Sequence, residues 1–194
     1  MRTFPYPTPS QMTFAEIKDL LLTRFGETVI LGEEVHPLQS YVLVADWALP
    51  EVAEFLHDQE QTYFDFLSCL TGVDNGPEAG TLEVIYHLYS IPYNHHFALK
   101  VQVPRNLADQ HLPAVPTVSH VWRSADWHER EVYDLVGISF PDHPDLRRIL
   151  CAADWEGHPL RKDYTWPAEY HGIKVPYDQH NEENGVKNDW NLPS

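Results

Sequence analysis

An α+β fold is what this chain predicts: a small mixed β-sheet, helices packed on one face of it, and an extended C-terminal arm. Three observations carry that reading. Apolar residues recur at helical spacing over residues 13–25 and again after Pro50. Between and after these segments, runs of β-branched and aromatic residues alternate with turn formers. Beyond about Asp163 the aromatic residues follow neither period.

Thr13-Phe14-Ala15-Glu16 reads as a capping box, in which the Thr13 hydroxyl accepts a backbone N–H and Glu16 reaches back. Phe14, Ile17, Leu21 and Phe25 then mark one helix face, and Gly26 is a natural stop. Thr28–Leu31 and Tyr41–Val44 read as a pair of short strands. Pro50 opens a second helix with Val52, Phe55 and Leu56 on one side. Tyr63–Leu70 reads as a buried strand, with Cys69 as a small core residue, and Gly72–Pro77 as a loop. Leu82–Tyr89 and Phe97–Val103 form a hairpin around Ile91-Pro92-Tyr93-Asn94. Pro113 and Pro116 mark a break. A helical stretch follows from about Val118 to Val136, interrupted near Ser124. The predicted order is α-β-β-α-β-β-β-α.

Residues 1–162 are thus assigned to one α/β domain and 163–194 to the arm. Tyr164, Trp166, Pro167, Tyr170, Pro176, Tyr177, Trp190 and Pro193 lie among polar residues there. Such a segment is either a disordered tail or an arm whose rings fill pockets on another protein, and the density of aromatics favours the arm.

Composition narrows the function classes. The 194 residues carry a formal net charge of −16, which argues against nucleic acid as a partner because phosphate binding needs a clustered basic surface. Residues 1–104 hold 14 acidic and 4 basic side chains, residues 105–194 hold 15 and 9, so most cations sit in the second half, beside carboxylates. Cys69 and Cys151 are isolated, which does not suit an iron–sulfur cluster held by this chain alone. No apolar run approaches the length of a membrane span, and the N-terminus lacks the apolar core of a signal peptide.

The densest chemistry is Glu129-Arg130-Glu131-Val132-Tyr133-Asp134-Leu135-Val136, continuing through His143-Pro144-Asp145-Leu146-Arg147-Arg148-Ile149-Leu150. A second block, Trp155-Glu156-Gly157-His158-Pro159-Leu160-Arg161-Lys162-Asp163-Tyr164, follows. Arg130 and Asp134 stand at i,i+4 and can pair on a helix. The blocks are either exposed helix with weak ion pairs of about 0–1 kcal/mol each, or a desolvated network at an interface. His95-His96 would point to opposite sides of a strand and so serve one metal poorly. No HExxH, GxGxxG, P-loop or GxSxG occurs. Glu129 and Glu131, at i,i+2, make a poor acid/base pair. A stand-alone metal-dependent enzyme using the histidines is the competing class.

These blocks, with their fixed charges and gaps, resemble the two hallmarks of the 30 kDa subunit family of NADH:quinone oxidoreductase, the C subunits of respiratory complex I. Two positions depart from the pattern: Asp142, where the family often has Gly, and Thr165, where it often has Pro. Both bear on local turns. The resemblance implies a cofactor-free, non-catalytic member of the peripheral arm of a proton-translocating complex, on the cytoplasmic side of a bacterial inner membrane. It would dock mainly on the D subunit, which carries the quinone site, near the B and I subunits, with the C-terminal arm wrapped over the first of these. FMN, iron–sulfur clusters, NADH and quinone would belong to partner subunits, and membrane contact would come only through the complex. The expected interface comprises Glu129, Arg130, Glu131, Asp134, His143, Arg147, Arg148, His158, Arg161, Lys162, Asp163, Tyr164 and Trp166, with no catalytic, cofactor-binding or metal residue. The equivalent component of a membrane-bound hydrogenase or photosynthetic NDH-type complex fits the same residues.

Overall fold

A computed structural model describes residues 11–36, 38–107 and 111–175. Through the third helix the predicted element order is the observed one; the hairpin after it was not expected. Helix α1 spans Phe14–Phe25 and strands β1 and β2 span Ile30–Glu34 and Tyr41–Val44; a 3-10 turn leads into helix α2, Leu49–Asp58. Strands β3, Phe66–Asp74, β4, Thr81–Ser90, and β5, His95–Pro104, precede helix α3, Arg123–Leu135. A two-residue-per-strand hairpin, β6 (Glu169–Tyr170) and β7 (Ile173–Lys174), comes last. The main sheet runs β1-β2-β5-β4-β3, with β2 parallel to β5 and every other pair antiparallel.

Strand alternation builds the core. Leu82, Val84, Tyr86 and Leu88 of β4 stand opposite Val103, Val101, Leu99 and Phe97 of β5, and all are buried. Ile17 and Leu21 of α1, Val52 and Leu56 of α2, and Ala125 and Val132 of α3 join that one cluster. On the other face, the Lys100 ammonium lies 2.7 Å from Glu34 and 3.3 Å from Glu83 and over the Tyr41 ring. The Thr13–Glu16 capping box forms as expected.

Five local expectations change. The first strand begins at Ile30, because Thr28 and Val29 belong to the turn after α1. Strand β3 starts later and ends later than expected, so Gly72–Asp74 is strand, not loop. A glycine serves within this strand because a Cβ at position 72 would lie 2.7 Å from a Val132 methyl and hold α3 off β3. Gly72→Ala is therefore expected to cost about 1–3 kcal/mol by overpacking, read as a lower urea midpoint at unchanged slope. Cys69, expected in the core, is half-buried with its thiol 3.3 Å from the Thr71 hydroxyl, because a bulge between Leu67 and Cys69 shifts the alternation.

The last helix starts at Arg123, not Val118; Trp122 is extended and anchors its indole N–H on the Phe64 carbonyl at 2.8 Å. Ser124 lies inside the helix and donates to the Leu67 carbonyl. His95 and His96 do face opposite ways, one buried and one exposed. Of the expected arm, residues 176–194 lie outside the described residues. In 163–175, Trp166 packs on Tyr164 and Trp155, and Tyr170 on Trp155, beside the β6–β7 hairpin. No described helix is long and apolar enough to cross a membrane.

Candidate partner-docking surface

Helix α3 ends at Leu135 and leaves carbonyls that need donors. The irregular segment 146–161 supplies them. The His158 Nδ1–H donates to the Asp134 carbonyl at 2.9 Å, and the Leu160 N–H to that of Leu135 at 2.9 Å. The Arg161 guanidinium donates to the Val136 and Gly137 carbonyls and to the Asn106 side chain. A cation at a helix C-terminus also suits the dipole. Gly137 makes this closure fit: its φ is +77°, and a Cβ there would strike the His158 ring at 2.4 Å.

The Asp134 side chain is the second half of the clasp. It is fully buried, and one oxygen accepts the N–H groups of Ile149, Leu150 and Cys151 at 3.0, 2.7 and 2.8 Å. The other accepts from Arg148 at 2.7 Å, and Arg148 also donates to the Gly157 carbonyl. Burial alone would raise the carboxyl, but the Cys151 and Leu150 amides, Arg148 and the Ile149 amide outweigh it and hold it below the usual value. Burial pushes the His158 imidazole down. The predicted Arg130–Asp134 pair is absent because this clasp occupies Asp134. Arg130 turns to the Arg147 carbonyl at 3.2 Å and lies over the Trp127 ring.

A second clasp ties the segment to the sheet. Asp74 at the end of β3 accepts from Arg105 at 3.0 Å and from the N–H groups of Gly76 and Lys162, each at 2.9 Å; Arg105 also reaches Asp163. Burial opposes the Asp74 charge, but these donors win and its carboxyl is lowered.

Glu129 and His143 sit deeper, both side chains fully buried. Glu129 accepts from the Thr117 hydroxyl and, at 2.8 Å, from the Val118 N–H. Burial pushes its carboxyl up to about 7 against those two donors, with Asp126 adding to the rise. The His143 Nδ1 accepts the Asp145 N–H and its Nε2–H donates to the Asp126 carbonyl. Asp142 holds φ +65°, the left-handed conformation in which Gly is at ease and Asp is tolerated.

The thirteen expected residues thus divide. Glu129, Asp134 and His143 face inward, Arg148, His158 and Arg161 are engaged in the clasps, and Arg130 is buried against the Arg147 carbonyl and the Trp127 ring. Tyr164 is half-buried, with its hydroxyl on the Glu156 carbonyl. Glu131, Arg147, Lys162, Asp163 and Trp166 are exposed, Arg147 over 72% of its side chain. Around them Leu150 and Leu160 are also open, at 63% and 59%. Sequence reasoning missed Asp74, Arg105 and Thr117, which lie outside the blocks and carry no motif. Gly137 was findable, as a glycine directly after an amphipathic helix. Among the described residues no group of three or more His, Cys, Asp or Glu is placed to hold a metal.

This arrangement defines a class: a small α+β domain whose charged hallmarks fasten an irregular, partly apolar surface segment onto a helix end. The chain belongs to the family described as respiratory-chain NADH dehydrogenase, 30 Kd subunit, whose pattern matches residues 42–170. It is 42% identical over 172 residues to the NADH-quinone oxidoreductase C subunit of Chloroherpeton thalassium, covering 88% of this chain and 67% of that protein. It is 40% identical over 160 residues to the corresponding C subunit of Chlorobium phaeobacteroides, covering 82% and 93%. The fold is shared, at 20% identity and a TM-score of 0.63 over 93% of this chain and 96% of the other, with a chain in the structure of an archaeal respiratory membrane complex, the membrane-bound sulfane sulfur reductase.

Proposed function

We propose that this chain is the C subunit of an NADH:quinone oxidoreductase and acts there as a scaffold, holding the quinone-site D subunit, with the B and I subunits nearby. The observation that carries the reading is the pairing of exposed Leu150, Leu160, Trp166 and Arg147 with a segment fixed from below by buried Asp134. Apolar side chains on a loop are unfavourable in water unless something covers them. The clasps pre-order that loop, so that docking need not spend binding free energy on ordering it. The thirteen residues then have two jobs: the inward ones shape the surface, and Glu131, Arg147, Lys162, Asp163 and Trp166 touch the partner. Residues 163–194 continue that contact as an arm. In this reading no electron passes through the chain; FMN, the iron–sulfur clusters, NADH and quinone reside in partner subunits. The protein lies on the cytoplasmic side of the membrane and meets it only through the complex.

Co-purification tests this. Arg148→Ala removes a charge that braces Asp134, and Arg147→Ala removes an exposed one. Truncating one member of a buried charge pair costs about 2–5 kcal/mol, so Arg148→Ala is expected to reduce retention of the partner by tenfold or more, and Arg147→Ala by less, with greater salt sensitivity. Full retention of the partner by both variants would contradict the proposal.

A further inference from the structure

Three of the buried carboxylates have a cation: Asp74 has Arg105, Glu83 has Lys100 and Asp134 has Arg148. Glu129 is different. The basic group near it is His143, at 3.9 Å, and that ring spends its Nε2–H on a carbonyl and its Nδ1 on an N–H, the neutral tautomer. Asp126, on the same helix, adds negative charge. From β4, the Tyr86 hydroxyl feels the Glu129 charge and is buried with no hydrogen-bond partner among the described residues. The 115–119 segment brings no charged side chain, only the Val118 N–H and hydroxyls. Thr117 Oγ1 contacts Glu129 on one side and, at 2.8 Å, the Ser119 hydroxyl on the other. Ser119 is half-buried and His120 beyond it is exposed, paired with Glu54.

We propose that Glu129 is a reversible proton-binding site of the folded chain, served by the hydroxyl line Ser119–Thr117, and that its protonation relieves the cost of burying its charge between α3 and residues 115–119. When Glu129 is ionised, the Thr117 O–H points to it. When a proton arrives from solvent, the Glu129 O–H donates to Thr117 Oγ1, and Thr117 turns its own proton to Ser119. One proton is taken from solvent on binding and returned to it on release. A neutral acid in this site avoids the cost of an unpaired buried charge. The position of the carboxyl near 7 agrees with this geometry and puts the change near neutrality.

The sign follows from linkage. A carboxyl raised in the folded state binds its proton more tightly there than in the unfolded chain, so stability falls as pH rises from the unfolded value towards the folded one. Between pH 8 and 5.5 the wild-type chain should gain, relative to Glu129→Gln, at least tenfold in its folding constant, since each unit of pKa difference is a factor of ten. The experiment is a carboxyl-carbon NMR titration of the full chain, with denaturant unfolding of wild type and Glu129→Gln at each pH. Titration of Glu129 near neutrality, with a wild-type advantage that grows on acidification, is expected. Titration in the ordinary carboxylate range, or parallel pH profiles for the two chains, would overturn the proposal. If Glu129→Gln does not fold, the wild-type titration alone decides. Thr117→Val should slow proton exchange at Glu129, and unchanged exchange would remove the hydroxyl line from the mechanism.

Discussion

Replacing Asp134 by alanine is expected to release residues 146–161 from α3 and to destabilise the chain by about 3–5 kcal/mol, the cost of breaking a buried ion pair from one side. The size follows from the inventory. Three backbone N–H groups lose their acceptor at once, and Arg148 keeps only carbonyl partners. Little apolar burial compensates, because Leu150 and Leu160 are already exposed. Hydrogen exchange should show the amides of Ile149, Leu150, Cys151 and Leu160 losing protection while β4 and β5 keep theirs. Uniform loss across the sheet would mean that the segment is not a separate unit. The wild-type clasp has its own pH signature. Asp134 and Asp74 are both held below the ordinary carboxylate value. Their contribution is therefore complete above about pH 5 and is lost as the pH falls through the folded values. That loss runs opposite in sign to the Glu129 effect and at lower pH.

Gly137→Ala carries the second large effect. The residue sits at φ +77°, which costs a side-chain-bearing residue roughly 1–2 kcal/mol. The new Cβ would also meet the His158 ring at 2.4 Å, and that ring is held by the Asp134 carbonyl. Overpacking of this kind adds about 1–3 kcal/mol. A double-mutant cycle separates the two parts. With His158→Ala in the same chain, the steric part should vanish and the backbone part remain, giving a coupling of about 1 kcal/mol or more. Strict additivity would show that the ring and the glycine do not constrain each other.

Much of the fold was legible because periodicity reports burial directly. The capping box at Thr13, the α1 stripe and the β4–β5 hairpin each follow from local pattern, and each is present. What misled was contact between distant segments. Gly72 looked like a turn residue, and only the approach of Val132 from α3 explains a glycine within a strand. Cys69 looked apolar and central until the bulge beside it moved it outward. The charge blocks were legible as a network but not as to its direction. Helical spacing offered Arg130 to Asp134, and tertiary structure gave Asp134 to Arg148 and three amides instead. Asp74 and Arg105 could not be assigned to the site, since nothing local marks a strand-end carboxylate that receives the Lys162 N–H from 88 residues away.

The central claim is that these charges fasten a surface for a partner and do not assemble a reaction centre. It is tested most directly by tagging this chain in its native host, isolating what it holds, and repeating the isolation with Asp134→Asn. The quinone-site subunit should co-isolate in near-stoichiometric amount with the wild type and fall at least tenfold with the variant, while the recombinant chain alone shows no turnover. A wild-type chain recovered without partners, or equal recovery of the quinone-site subunit by both forms, would contradict the account.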